Sequence, residues 1–481
     1  MNGIKAFLLL CAAILPASVL NAKVTLPPFF SDNMVLQQQS QVALWGWADE
    51  GKRVTVKPSW TNDSYTAKVS RKGRWEMRIT TPQAGGPYSI SFEDAGKEKT
   101  VISNVLLGEV WFCSGQSNMA MPMKGYTKQP VEGSAGVIKA AKAEIPIRIC
   151  RIKRKASLSP EDICEGYWAE NIPSEVEKTS AAAYFFAMKV QQTLNVPVGI
   201  LEADWGGTPI EAWMDKETIE EDFDGEFNLS HLEGGEAPAK PKLRACTIFN
   251  GMVNPLIPFT FKGILWYQGE FNRKRYEQYS RLQPAYVAMM RDRFQNPDAP
   301  FYFVQIAPYS YDDPEGFTVG YFCEAQEKTL SMIPGSGMVA TVDTGEKDVI
   351  HPSRKKEVGE RLAALALTKT YGLDLGTDAV SPSLRKVEFD ADKAIVTLNT
   401  ASGVRIVESE TSGFELAGED RVFYPASARL LGSDTLEIRS GQVKEPVAVR
   451  YCFRNWCVGT VFNASGIPLA PFRSDSWESG R

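Results

Sequence analysis

Histidine is the scarcest functional residue in this chain. Of 481 residues only two are histidine, His231 and His351. A metal centre built from several imidazoles is therefore excluded, and any step that needs an imidazole base must use one of these two. The sequence also lacks a basic run. Lys+Arg number 53 against 58 Asp+Glu, for a net charge of −5, which argues against nucleic acid as a partner. Beyond the N-terminus no stretch approaches the roughly 20 apolar residues of a membrane span. The eight cysteines are widely spaced. Cys11 falls in the N-terminal apolar run and leaves an odd number, which is not a disulfide framework. Cys452 and Cys457 form the one close pair, readable either as a disulfide in an oxidising compartment or as buried thiols.

What is present is globular: 43% hydrophobic and 23% charged residues. The length implies several domains at roughly 100–200 residues each. Aromatics reach 11%, with 11 Trp, a content that suits sugar-facing surfaces and large β cores equally. Lys5 followed by an apolar run over 6–19, broken by Pro16-Ala17-Ser18, reads as a signal peptide over residues 1–22. The mature protein is thus expected to be exported, to the periplasm or the extracellular medium.

Three regions follow. Residues 23–106 carry short alternating runs with Gly, Pro and Asp punctuation, the pattern of a β-sandwich-like domain. From 107 to 375 continuous apolar runs (109–113, 198–203, 263–267, 301–306 and 337–342) alternate with helix candidates at 181–194, 275–294 and 353–371. Continuous apolar strands separated by helices predict an α/β fold with a parallel sheet covered on both faces. Residues 376–481 revert to β. The stretch 217–241 is the least regular and reads as a loop or insertion.

In open parallel sheets ligands bind at the carboxyl ends of the strands. After the first run comes Ser114-Gly115-Gln116-Ser117-Asn118-Met119, a turn able to project a serine hydroxyl. After the second comes Trp205-Gly206-Gly207-Thr208-Pro209, where glycines permit close backbone approach. Gln268-Gly269-Glu270-Phe271-Asn272 follows the third, with amides suited to an oxyanion or to helix capping. Asp343 through Pro352 follow the last, and there Asp348 precedes His351 by three positions, close enough to orient the ring while the other nitrogen acts as base. His231 follows no strand. Each string also has an ordinary structural use. Together they place a serine, glycines, amides and Asp-x-x-His on one sheet edge, the set needed for acyl transfer.

The four strings resemble the blocks of the SGNH hydrolase superfamily and, more narrowly, the sialate O-acetylesterase family. Gly108-Glu109-Val110-Trp111-Phe112-Cys113-Ser114-Gly115-Gln116-Ser117-Asn118-Met119, Gly206-Gly207-Thr208-Pro209-Ile210-Glu211-Ala212-Trp213, Trp266-Tyr267-Gln268-Gly269-Glu270 and Asp348-Val349-Ile350-His351-Pro352 carry the likeness. The resemblance implies a three-layer α/β/α, flavodoxin-like catalytic domain. It implies Ser117 as nucleophile, His351 as base and Asp348 as its orienter. Gln116, Gly206, Gly207 and Gln268 would serve the oxyanion or the substrate, and no metal or cofactor would be needed. Where the superfamily's third block has Asn, this chain has Gln268. Phe271 follows the Glu of that block where relatives often have a small residue. The implied substrate is an acetylated sugar, 9-O-acetylated sialic acid first. Acetylated plant polysaccharide such as xylan is the alternative within enzymes, and a non-catalytic sugar-binding protein the alternative of another class. Trp205, Trp213, Trp266, Tyr267 and Phe271 flank the blocks and are candidates to wall a sugar ring, and Arg244 is the candidate for a substrate carboxylate. The oligomeric state is not legible.

Overall fold

The computed structural model describes residues 24–94, 98–234, 238–407 and 413–477; the expected signal peptide lies outside them. Seven strands form the central sheet: β1 (Glu98–Gly115), β2 (Ile147–Ile152), β3 (Gly166–Glu170), β4 (Val198–Asp204), β5 (Gly263–Tyr267), β6 (Phe301–Val304) and β7 (Ser336–Val339). Their spatial order is β7-β6-β5-β1-β4-β2-β3. The neighbours are parallel except at the β2–β3 edge. The five expected runs are all in this sheet. The unexpected β2 is broken up in sequence by Arg148 and Arg151, yet Arg148 is buried.

Strands β4 to β7 are buried at every residue, so both faces need cover. The main helices are α1 (Ala181–Leu194), α2 (Tyr276–Arg293), α3 (Thr318–Lys328) and α4 (Lys355–Leu365). On one face Trp111, Cys113, Ile200, Leu265 and Val304 share a core with α1 and α4. On the other Val110, Phe112, Leu201, Ile264 and Phe303 share a core with Tyr279, Leu282 and Tyr286 of α2 and Phe322 of α3. Period-2 alternation along β1 thus supplies both layers. Helix α1 keeps the length read from sequence because both ends are capped. Ser180 accepts the Ala183 amide, and Asn195, in the left-handed region, donates its amide to the Gln191 carbonyl.

Six strands between Val35 and Asp94 precede the sheet. β1 joins them to it. Its first half pairs antiparallel with Gly85–Asp94, and its second half pairs parallel with β4 and β5. The strand therefore runs unbroken through residue 106, where a boundary was expected. After α4 the chain forms a seven-stranded antiparallel sheet and a two-stranded pair, Val404–Ile406 with Val461–Asn463, around a separate core that includes Leu398, Leu416, Leu436 and Tyr451. Cys452 and Cys457 lie there as thiols, their sulfurs 3.1 Å apart. Among the described residues no helix is long and apolar enough to cross a membrane.

Candidate active site

Register brings the sequence blocks to one edge. Gly115, the end of β1, lies opposite Asp204 at the end of β4 and Tyr267 at the end of β5. The turns that follow, bearing Ser117, Gly206 and Gln268, leave the sheet side by side. Position 115 requires glycine: its φ is +144°, and a Cβ there would lie 2.2 Å from the Tyr267 carbonyl oxygen. Ser117 opens the helical turn Ser117–Ala120. It is half-buried, and its hydroxyl makes no hydrogen bond among the described residues. Gly206 packs directly on it, since a Cβ at 206 would lie 3.3 Å from Ser117 Cβ. Gly207, at φ +67°, turns the chain away in the region that favours glycine. The backbone amides of Ser117 and Gly206 are spent on no other group among the described residues, so both are available to a developing oxyanion.

The two glutamines sit lower. Gln268 is fully buried, and its Nε2 faces Gln116 Oε1 at 3.1 Å, the Thr208 carbonyl at 3.1 Å and Asn272 Oδ1 at 2.8 Å. Gln116 Oε1 also accepts the amides of Gly269 and Phe271, both at 3.3 Å. Asn272 Oδ1 accepts the Ile210 amide at 3.0 Å, and its Nδ2 donates to Glu211 at 2.9 Å. These side chains tie the three turns to one another. The donors expected of Gln268 are turned toward protein acceptors.

His351 reaches the same edge from the loop after β7. Asn118, the residue after Ser117, donates to the Ile350 carbonyl at 3.1 Å, which pins the His351 loop to the Ser117 turn. Tyr126 makes a second link: its hydroxyl donates to the Ser117 carbonyl at 3.0 Å, and its ring packs edge-on against His351 at 5.0 Å. The His351 Nδ1 partner is Gln129 Oε1 at 2.7 Å. An amide oxygen only accepts, so Nδ1 carries the hydrogen and Nε2 keeps its lone pair. Asp348, expected on the ring, is exposed instead, and its carboxylate makes no hydrogen bond or ion pair among the described residues. It sits in a turn closed by the Glu346–Val349 bridge, and the short spacing that suggested contact is used up by that turn. Asp343, the other acid of the loop, is held by Arg361 through two bonds of 2.8 and 2.6 Å. Burial, and then the charge of Lys355, pushes the His351 imidazole down to about 4, opposite to the rise that an adjoining carboxylate would give. His231 bonds the Ala245 carbonyl at 3.0 Å, a structural use.

Beside Ser117 lies a polar cluster, built on Asn118, that the sequence did not single out. Lys355 is buried and donates to Asn118 Oδ1 at 2.7 Å, 5.6 Å over the Tyr267 ring. Asn118 Nδ2 donates to Glu270 as well. Burial lowers the Lys355 amine to about 7, against the opposing charges of Glu270 and Glu346. Burial likewise raises the Glu270 carboxyl, against the Asn118 hydrogen bond. One signal for Lys355 was legible: three and seven residues ahead of Val358 and Leu362, it is a charge on the apolar face of α4.

Of the aromatic candidates, Trp213, Trp266 and Tyr267 are fully buried. Trp205 is half-buried and Phe271 is 44% exposed, so these two remain open to a ligand. A cleft of about 630 Å³ shares Tyr126 with the serine surroundings and is lined also by Ala120, Arg151, Arg154, Tyr167 and Asp204. Arg244 is exposed and is not among its lining residues.

A family model described as carbohydrate esterase, sialic acid-specific acetylesterase, matches residues 107–368, more than half of the chain. The chain belongs to this family. It is 26% identical over 467 residues to the sialate O-acetylesterases of Pongo abelii and Homo sapiens, with 89% of this chain and 87% of each relative covered. The crystal structure of a carbohydrate acetylesterase from Xanthomonas citri matches with a TM-score of 0.84 and 30% identity, covering 95% of this chain and 100% of that one. As a member of the family the protein is a carboxylic ester hydrolase, and its matched region holds Ser117, Gly206, Gln268 and His351.

Proposed function

We propose that this esterase removes O-acetyl groups from sugars, sialic acids foremost, by acyl transfer through Ser117 in a three-layer SGNH-type domain. The observation that carries the reading is the junction made by Asn118: the residue beside the serine holds the carbonyl beside His351. Ser117 Oγ attacks the acetyl carbonyl while His351 Nε2 takes its proton, and the amides of Ser117 and Gly206 receive the oxyanion. The imidazolium then protonates the departing sugar alcohol, and water, deprotonated by His351, frees acetate. Gln129 fixes the ring, Gln116 and Gln268 brace the turns, and Gly207 shapes the second one. Neutral His351 near pH 7 suits it to accept the proton. Export by the expected signal peptide would have the enzyme act outside the cytoplasm.

The test is acetate release from O-acetylated sialic acids and from acetylated xylooligosaccharides by wild type and Ser117→Ala. Loss of all but a few per cent of turnover in the variant, with an unchanged melting curve, is expected. A variant that keeps its turnover removes Ser117 as nucleophile. A clear preference for xylooligosaccharides keeps the mechanism and replaces the substrate.

A further inference from the structure

Two cations beside Ser117 take no part in the chemistry above. Arg154 is fixed by Asp204, donating from Nε to its carbonyl at 2.9 Å and from Nη2 to its carboxylate at 2.7 Å. Asp204 ends β4, two residues before the glycine that packs on Ser117. Two of five guanidinium donors are thus spent, and 47% of the Arg154 side chain stays exposed, on the wall of the cleft that includes Tyr126. Lys242 arrives from another part of the chain. Its Nζ donates to the Gly206 carbonyl at 2.7 Å and stands 5.7 Å over the Trp205 ring. It has no carboxylate partner among the described residues.

The two charges feel each other. Burial, then the charge of Arg154, then that of Lys240 lower the Lys242 amine below its ordinary range. Arg154 lines the open cleft with its charge balanced by Asp204, whereas Lys242, half-buried on the Gly206 carbonyl, keeps an unbalanced charge that a bound anion would relieve. The nearby Glu202 does not supply that anion: it is buried, and burial followed by the Asp204 charge drives it toward its neutral form. A neutral sugar would leave the donors of both cations to water. A sugar carrying its own carboxylate would give Lys242 a charge-assisted partner and Arg154 a second one beside Asp204.

We propose that Arg154 and Lys242 form a subsite for a carboxylate carried on the acetylated sugar, and so select acidic sugars over neutral ones. This rests on the sugar-deacetylation reading and adds to it the group that is recognised. Lys242 enters the subsite from the Gly206 side of Ser117.

The experiment compares kcat/KM for 9-O-acetylated sialic acid with that for its C1 methyl ester, which keeps the acetyl group and removes the charge. p-Nitrophenyl acetate serves as a monitor of the reaction itself. In wild type the acid should exceed the methyl ester by roughly tenfold, the scale of one charge-assisted contact. That ratio should fall severalfold in Lys242→Gln and in Arg154→Gln, and also with added salt, because the site is open to solvent. Arg154→Gln strips Asp204 of its partner, so Lys242→Gln, checked by its melting curve, is the deciding variant. A wild-type ratio near one, with both sugars cleaved, overturns the subsite and leaves the sugar esterase standing. A high ratio that survives both substitutions overturns it too, since the charge would then be read elsewhere. Cleavage of the monitor with neither sugar touched overturns the sialic acid reading and the subsite with it.

Discussion

The ring partner of His351 can be tested by changing one atom. In Gln129→Glu the amide nitrogen becomes an oxygen, so a carboxylate replaces the carboxamide whose Oε1 lies 2.7 Å from Nδ1. With charge centres about 4 Å apart and an effective dielectric constant of about 20, the attraction is about 4 kcal/mol, or about three pKa units at 1.36 kcal/mol each. Gln129 is half-buried, and solvent screening reduces this to about one to two units. His351 should then move from about 4 to about 5–6. The assay is the pH dependence of kcat/KM for p-nitrophenyl acetate. At pH 5 about nine-tenths of wild-type imidazole is neutral, against about one-tenth for a pKa of 6. The variant should therefore lose up to about tenfold at pH 5 relative to its own plateau, while wild type loses almost nothing. The plateau itself should not fall, because the carboxylate also favours the imidazolium formed as the serine gives up its proton. Coincident acid limbs would refute Gln129 as the partner of the ring in the working enzyme.

Asp348→Asn should leave kcat within about twofold and the acid limb in place, since that carboxylate is exposed and makes no bond; a limb that shifts down would return Asp348 to the ring. Gly206→Ala should cut kcat roughly 10²-fold, the scale of one lost oxyanion donor, because its methyl crowds Ser117 Cβ at 3.3 Å; near-normal turnover would place the oxyanion elsewhere. Lys355→Met should raise Tm at pH 6 and lower turnover. The buried amine titrates at about 7 in the fold against 10.5 unperturbed, so between these values the unfolded chain binds more protons and stability climbs with pH. The penalty for burying the charge is full below pH 7, and the gain should therefore shrink by pH 10. A lower Tm at pH 6 would show that the charged amine stabilises the fold.

The parts of this molecule that were readable in advance obey local rules. β5 ends where its apolar run ends, and α1 ends where Asn195 takes the left-handed conformation. The four site blocks were readable because parallel strands must deliver their following turns to one edge. The unbroken course of β1 was not. Asn104, at φ +55° inside the strand, has the chemistry of a turn, and only pairing with Gly85–Asp94 carries the strand past it. Gln129 was invisible for another reason: it lies 222 positions from His351, and no periodicity spans such a gap. The same holds for Arg154 and Lys242, brought together through contacts with Asp204 and Gly206 that belong to neither neighbourhood. Trp213 and Trp266 misled because an aromatic beside a site block has the same sequence signature whether it faces a ligand or the core.

One long strand has consequences for how this chain can be inherited. β1 runs 18 residues, roughly 60 Å at about 3.3 Å per residue. It serves as an edge of the N-terminal sheet and stops two residues short of Ser117. The N-terminal region is therefore no cassette that recombination can trade for another. A crossover anywhere in 98–115 cuts the rod that sets Ser117, and one placed earlier leaves that rod without the strand that clasps it. The β region and the Ser117 turn must descend together. A protease that nicks the chain in the N-terminal sheet would reach the chemistry from far away, with no residue of the active site touched.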